Sequence, residues 1–144
     1  MKTPGRPRKS RLADMAVYPD TPECFTPPSL EECDEISYPL DLGAGLGAGV
    51  RQVFRRDTSV LVYFAIWQSV QVNGRWSSVA RIDTSHSNVH HHQFTATGDE
   101  KIEILERYTE LHAEEVIDRW ISRAEDIFGA DWELHMRRWN GDAE

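Results

Sequence analysis

The sequence lacks the features that mark membrane or secreted proteins. It has no apolar run long enough to span a bilayer. The basic N-terminus, Met1 to Arg11, is not followed by the apolar stretch of a secretory signal. Only two cysteines occur, and Cys24 and Cys33 have neither a redox nor a zinc-ligand spacing. We therefore expect two free, reduced thiols in a loose segment, no disulfide, and a soluble cytoplasmic protein.

Proline is absent after residue 39, and the segment before that point has few large apolar side chains. The same region has a basic tip over residues 1–11 and an acidic stretch over residues 12–41. Glycine recurs through residues 43–49, as in a flexible hinge. Such a segment cannot bury enough apolar surface to fold alone. We predict a disordered arm over residues 1–49 and a single domain over residues 50–144.

Basic residues are outnumbered, and the net charge of −8 argues against a general polyanion binder. The exception is Gly5-Arg6-Pro7-Arg8-Lys9, which resembles the core of an AT-hook. This resemblance implies weak DNA contact, with Arg6 in the minor groove of A·T-rich DNA. The phosphate contacts would come from Arg8, Lys9 and Arg11. The alternative is a basic tip that aids solubility or contacts the acidic stretch behind it.

The domain begins with strand-like segments. Residues 59–72 are rich in β-branched and aromatic side chains, and Asn73-Gly74 is a strong hairpin signal. A polar loop, Ser85–Asn88, separates the next two segments. Alternation of Ile102 and Ile104 favours a further strand. The predicted strands are 59–72, 75–84, 89–95 and 101–107.

One main helix is predicted over residues 109–128. Apolar residues recur there at i, i+3 and i+4, Thr109 can serve as N-cap, and Gly129 stands at a plausible stop. Residues 132–139 alternate in hydrophobicity, which favours a final strand, with a helical extension as the alternative. The predicted fold is α+β, a curled antiparallel sheet of about four to six strands with this helix on one face.

The Asn73-Gly74 turn fixes a register for the first hairpin. Trp67 then faces Ala80, and Ala65 faces Ile82. We expect this face to pack against the helix. It also includes Leu61 and Tyr63. The opposite face is expected to carry Phe64, Ile66, Val79, Arg81 and Asp83.

A run of histidines follows in the next strand. If Ser85–Asn88 is the loop, Asp83 faces His90 and Arg81 faces His92. His91 then points towards the core, and a bulge would undo the assignment. The face opposite the helix would gather Arg81, Asp83, His90 and His92, with His86 in the loop above.

Three interpretations of this cluster remain open. His86, His90 and His92 could bind a divalent metal. Alternatively, the histidines supply general acid and base, with Asp83 orienting His90 and Arg81 stabilising a phosphate. The third is that they only fill a partly exposed sheet face. The remaining histidines are isolated and are read as structural or surface residues, namely His112 and His135.

Residues 80–94 read ARIDTSHSNVHHHQF. The order is arginine, an apolar residue, Asp, two further residues and His, followed by a His-rich strand. It resembles a pattern found in small actinobacterial and phage proteins of unknown function. It also resembles the TumE-like toxin components of bacterial toxin–antitoxin pairs. The similarity covers residues 75–95, and Ser87 replaces the glycine expected after His86. It implies importance for Arg81, Asp83, His86 and His90.

Two functional hypotheses follow. The first is a small toxin-like protein that cleaves RNA without a cofactor, possessing a cognate antitoxin-like partner. His90 would be the base, His86 or His92 the acid, and Arg81 the phosphate contact. The second is a non-enzymatic accessory module of a phage or mobile element. Its domain would dock a protein partner while the basic arm contacts DNA.

Overall fold

The computed structural model describes residues 25–43, 45–85 and 87–141. Within these residues, six antiparallel strands form one sheet in chain order, followed by one long helix. The α+β prediction is confirmed. The elements are β1 (Cys33–Pro39), β2 (Leu46–Arg55), β3 (Leu61–Val72), β4 (Arg75–Ser85), β5 (Asn88–Phe94), β6 (Glu100–Arg107) and α1 (Ala113–Trp139), with short 3₁₀ turns at Leu30–Glu32 and Glu110–His112.

The first hairpin turns at Asn73-Gly74, as predicted. Both residues have positive φ, 53° and 80°, which is the requirement of a type I′ turn. The register changes further along, where Gln68 faces Ala80 and Ser69 faces Ser78, so that Val79 is the extra residue of a β-bulge. Beyond this bulge the predicted register is wrong by one residue.

The bulge reverses the two faces of β3. Ala65 pairs with Asp83 and Trp67 with Arg81, rather than with Ile82 and Ala80. A one-residue slip moves each side chain to the other face of a sheet, so the predicted helix-facing side is wrong for β3. In β4 the prediction is confirmed, because Ala80 and Ile82 are buried in the core that includes α1 residues. The helix instead packs on a face whose fully buried members include Val50, Phe64, Ile66, Val79 and Ile82. We call the opposite side, which carries Tyr63, Ala65 and Trp67, the open face.

The folded part begins before residue 50, which corrects the predicted boundary. β1 pairs with β2 along its whole length. Its acidic side chains are matched by arginines, because Arg51 binds Glu35 and Arg56 binds Asp34 at 3.0 Å. Composition alone suggested a segment unable to bury enough apolar surface to fold alone, but its backbone pairs with the next strand. Cys33 is buried in β1 and forms no disulfide within the described residues, whereas Cys24 and the basic tip lie outside them.

Glycines of the predicted hinge lie in β2, where they admit tryptophan rings. A Cβ at Gly49 would stand 2.5 Å from the ring of Trp67, and one at Gly47 would stand 2.8 Å from the ring of Trp76. Real Cβ atoms do not approach so closely, so one of the two groups would have to move at either position. Trp76 is exposed and its ring can shift, so the requirement for glycine is the stronger at Gly49. The prediction of a hinge over residues 43–49 is therefore corrected for the β2 residues.

The helix is longer than predicted. It continues through Gly129, which has open space around it, and ends at Trp139 rather than at residue 128, so the helical extension given as the alternative for residues 132–139 is the one observed. The predicted stop and the predicted final strand are both wrong, because buried Phe128 and His135 continue the apolar stripe. Thr109 precedes the 3₁₀ turn but makes no side-chain capping bond. Among the described residues, no helix combines the length and apolarity needed to cross a membrane.

Candidate functional site

Four predicted site residues lie together on the open face. β4 and β5 pair so that Asp83 faces His90 and Arg81 faces His92. This register agrees with the one predicted from the Ser85–Asn88 loop. Side chains alternate between the faces of a strand, so His91 points towards the helix instead. The fifth predicted residue, His86, lies outside the described residues.

Asp83 is the buried centre of this cluster. Its Oδ2 accepts a hydrogen bond from Nε of Arg81 at 2.9 Å. Its Oδ1 lies 3.4 Å from Nε2 of His92 and 3.8 Å from Nδ1 of His90. Neither contact is a well-formed hydrogen bond, so Oδ1 is buried without one among the described residues. Leaving a buried acceptor unsatisfied costs about 1–3 kcal/mol, and more for a charged group.

The charge of Asp83 is nevertheless maintained. Burial raises the pKa of this carboxyl, but the contact with His92 and the positive charges of Arg81, His92 and His90 outweigh it. The pKa of Asp83 therefore lies below its ordinary value. An ionised carboxylate next to two imidazoles favours their protonated or metal-bound forms.

His92 lies between two carboxylates. Its Nε2 faces Asp83, and its Nδ1 lies 2.7 Å from Oε2 of Glu100 in β6. Burial lowers the pKa of His92, but Asp83 and Glu100 outweigh this effect and raise the pKa above its ordinary value. Its ring also stacks on Phe94, with an interplanar angle of 8°. His92 is thus held in place and biased towards the imidazolium form.

Sequence reasoning did not identify Glu100. It reaches the cluster because β6 pairs with β5, placing Glu100 opposite Phe94 on the face that carries His92. The signal that could have found it is the Thr97-Gly98-Asp99 turn, which makes β5 and β6 a hairpin.

His90 completes the cluster. Its Nδ1 lies 3.4 Å from Oγ of Ser85, besides its approach to Asp83. The ring centroids of His90 and His92 are 5.8 Å apart. The side chains of His90 and His92 are 15% and 12% exposed, so both rings are largely buried.

The surroundings of the cluster are aromatic and carry charges of both signs, because Arg51 pairs with Glu35 and Arg81 with Asp83. Trp67 pairs with Arg81 on the open face. The guanidinium of Arg51 lies 5.6 Å from the ring centroid of Tyr63. Burial, followed by the charge of Asp83, raises the pKa of Tyr63 to about 12, so the phenol stays neutral.

The remaining histidines differ in their roles. The prediction that His135 is isolated is wrong. Its Nε2 lies 3.2 Å from Nε2 of His91, and its Nδ1 lies 2.9 Å from Oε1 of Gln68. Burial lowers the pKa of His91, and it lowers that of His135 to about 4. These two therefore belong to the packing beneath α1. His112 is exposed near Glu115, which agrees with a surface residue.

The arrangement permits two kinds of chemistry. Two imidazoles beside a carboxylate and a guanidinium can exchange protons with a bound phosphate. The ligand atoms of Asp83, His90 and His92 also lie within 4.8 Å of one another, a grouping that could hold a metal ion. The metal-ligand set predicted from sequence was His86, His90 and His92; two of these belong to the present grouping, and His86 lies outside the described residues.

The chain matches no protein-family model, no curated protein and no solved structure. The resemblances to TumE-like toxin components and to AT-hooks therefore stay predictions. The chemistry of the cluster must be inferred from the geometry of its own residues.

Proposed function

We propose that the protein cleaves RNA by general acid–base catalysis at His90 and His92. The observation that carries this proposal is the placement of two imidazoles, 5.8 Å apart on one sheet face, around the buried carboxylate of Asp83. RNA contains its own nucleophile, the 2′-hydroxyl. Cleavage therefore needs one base, one acid and stabilisation of the phosphorane, and no cofactor.

His90 is the proposed base. When its Nδ1–H is directed at Asp83, the proton is fixed on that nitrogen, and Nε2 holds the lone pair. Nε2 removes the proton of the 2′-hydroxyl, and the 2′-oxygen attacks the adjacent phosphorus. Asp83 is a positioning residue in this scheme, because its charge stabilises the imidazolium that forms.

His92 is the proposed acid. Its raised pKa keeps a proton available near neutral pH. The carboxylate of Glu100, which accepts from Nδ1, is 38% exposed and lies in an edge strand. The leaving 5′-oxygen would replace this carboxylate beside Nδ1 and take the proton. The P–O5′ bond breaks, leaving a 2′,3′-cyclic phosphate and a 5′-hydroxyl.

Arg81 is the proposed phosphate contact. Its Nε donates to Asp83, and the described residues provide no hydrogen-bond partner for its two terminal nitrogens. Its side chain is 40% exposed, so these donors can reach a ligand on the open face. A guanidinium can donate two parallel hydrogen bonds to phosphate oxygens, which stabilises the charge that develops on the phosphorane.

The proposed substrate is single-stranded RNA. Trp67 and Phe94 flank the cluster along the open face, where bases can stack on aromatic rings without sequence preference. A long duplex would meet the overall charge of −8, which opposes extended contact with a polyanion.

The direct test is cleavage of a fluorogenic oligonucleotide that contains one ribonucleotide in a DNA strand. We expect His90→Ala and His92→Ala to lower the rate by about 10²–10⁴-fold, the usual contribution of a general acid or base. His112→Ala is the matched control, because His112 is exposed and remote from the cluster. An oligonucleotide with a 2′-O-methyl group at the same position should resist cleavage. Equal cleavage of that oligonucleotide would rule out attack by the 2′-hydroxyl.

A second candidate function is protein binding without catalysis. The edge strand β6 carries Ile102 and Ile104 on the open face with 55% and 42% of their surface exposed. An edge strand with exposed apolar side chains can pair with a strand from a partner protein. Under this hypothesis, Ile102→Lys with Ile104→Lys abolishes partner binding, whereas His90→Ala does not.

The same hypothesis assigns DNA contact to the basic tip. Removal of residues 1–11 should therefore abolish any salt-sensitive DNA binding.

A further inference from the structure

We propose that Asp83, His90 and His92 form a binding site for one divalent transition-metal ion. This proposal goes beyond the proposed RNA cleavage, since it rests on the geometry of three ligand atoms and requires no substrate. Asp83 lies in β4, and His90 and His92 lie two residues apart in β5. These strands pair with each other, so the sheet fixes the relative positions of the three residues.

The ligand atoms are already near the distances of a metal site. Oδ1 of Asp83 lies 3.4 Å from Nε2 of His92 and 3.8 Å from Nδ1 of His90, and the three ligand atoms are all within 4.8 Å of one another. A tetrahedral Zn²⁺ with bonds of about 2.0–2.1 Å separates its ligand atoms by roughly 3.4 Å. A small contraction of the imidazoles towards Asp83 therefore completes three corners of a tetrahedron.

An independent observation points to a cation at the same place. Oδ1 of Asp83 is buried and has no hydrogen bond among the described residues, although Oδ2 is bound by Arg81. Arg81 thus holds the carboxylate so that its unsatisfied oxygen faces the two imidazoles. A metal ion would satisfy this oxygen in a monodentate manner.

Glu100 provides the outer support that metal-bound histidines require. Ligating imidazoles usually donate their second ring N–H to a carboxylate or carbonyl group, which fixes the tautomer and raises the basicity of the ligand. Nδ1 of His92 is 2.7 Å from Glu100, so Nε2 is the nitrogen left to bind the ion. The pair Glu100–His92 therefore matches the carboxylate–histidine–metal arrangement.

The donor set selects the class of ion. Two imidazole nitrogens and one carboxylate oxygen suit Zn²⁺ and its first-row neighbours, whereas Mg²⁺ and Ca²⁺ favour all-oxygen sites. Three protein ligands leave at least one position for water or another small ligand, as in open rather than purely structural sites.

Metal occupancy and the acid–base roles exclude each other. An imidazole bound through Nδ1 carries its proton on Nε2, so a metal-bound His90 is no longer a base. A metal-bound His92 is neutral and no longer an imidazolium. Added Zn²⁺ should therefore inhibit metal-independent RNA cleavage at one equivalent per chain, and this consequence applies only if the proposed function is correct.

The primary test is metal binding by the full chain after chelator treatment, without RNA. Zn²⁺ is titrated in competition with a chromophoric chelator, and we expect one ion per chain. Glu100→Ala removes an outer partner and should weaken binding by about 10- to 100-fold. His90→Ala and His92→Ala each remove a ligand and should weaken binding by more than that. His112→Ala should bind as the wild type does, and Mg²⁺ should not compete.

A second measurement needs no variant and so does not depend on how a variant folds. In long-range ¹H–¹⁵N spectra of the wild type, Zn²⁺ should shift the signals of His90 and His92 and leave those of His112 unchanged. No binding by the folded wild type, or shifts confined to His91 and His135, would overturn the proposal. So would wild-type affinity in folded His90→Ala. Failure of RNA cleavage would leave each of these results interpretable, because none uses RNA.

Discussion

Oε2 of Glu100 lies 2.7 Å from Nδ1 of His92, while the other nitrogen of the same ring faces Asp83. One imidazole is thereby held between a buried carboxylate of β4 and a half-exposed carboxylate of β6. Two opposite charges stabilise the imidazolium against the effect of burial, so the ring can keep its proton in a site where burial alone would remove it.

The first prediction concerns this pairing. Glu100→Ala removes one of the two carboxylates that raise the pKa of His92, so the pKa should fall. The titration of the His92 ring by NMR measures the change. Glu103→Ala is a suitable control, because Glu103 is on the same strand but faces His91 on the other side of the sheet. An unchanged His92 pKa in Glu100→Ala would show that Asp83 alone maintains the imidazolium.

Much of the site could be predicted because its register is local. The loop between β4 and β5 is short, so the pairing of Asp83 with His90 and of Arg81 with His92 follows from the loop and the alternation of side chains. The orientation of His91 towards the helix follows from the same alternation. These relationships depend on neighbouring residues and not on the remainder of the fold.

The rest depends on contacts between distant parts of the chain. The bulge at Val79 adds one residue, which reverses the faces of β3 without any clear signal in its composition. The continuation of α1 past Gly129 is stabilised by burial of His135 against Gln68 and His91, which lie more than forty residues away in sequence. Strand β1 likewise forms by pairing with β2, which its own composition does not indicate.

A second prediction concerns stability and pH. The pKa of His135 is lowered to about 4 by burial, whereas an unfolded histidine titrates near 6.5. Between these values the unfolded chain binds more protons, so this residue's stabilisation is present above about pH 6.5 and is lost as pH falls towards about 4. His91, whose pKa is also lowered, acts in the same direction. His92, with its raised pKa, acts in the opposite direction and loses its contribution as pH rises.

Urea denaturation at several pH values between 4 and 7 measures this effect. We expect the wild type to lose a few kcal/mol over that range, since one pKa unit corresponds to about 1.4 kcal/mol. His135→Gln should be less stable at pH 7 but should show a smaller dependence on pH. His112→Gln should keep the wild-type dependence, because this side chain is exposed. An unaltered pH dependence in His135→Gln would assign the acid sensitivity to other groups.

The third prediction compares two glycines. Gly49→Ala places a methyl group 2.5 Å from the ring of Trp67, so it should destabilise the fold by about 1–3 kcal/mol and move the ring. Gly129→Ala has open space within α1 and should stabilise the protein by about 0.5–1 kcal/mol. Chemical denaturation followed by tryptophan fluorescence measures both changes. Equal effects of the two substitutions would contradict the packing of Trp67 on Gly49.

The fourth prediction joins the charge of His92 to the proposed reaction. An acid must be protonated to act, so kcat/KM should fall as pH rises through the pKa of His92. That pKa is raised in the wild type, which extends activity to higher pH. Removing the carboxylate of Glu100 lowers the pKa and should move the alkaline limb of the profile to lower pH. The acidic limb, which reports the proposed base His90, should move less, since Glu100 is bonded to His92. A profile in which Glu100→Ala lowers activity equally at every pH would contradict this prediction, because it would indicate that Glu100 positions the ring without tuning its proton.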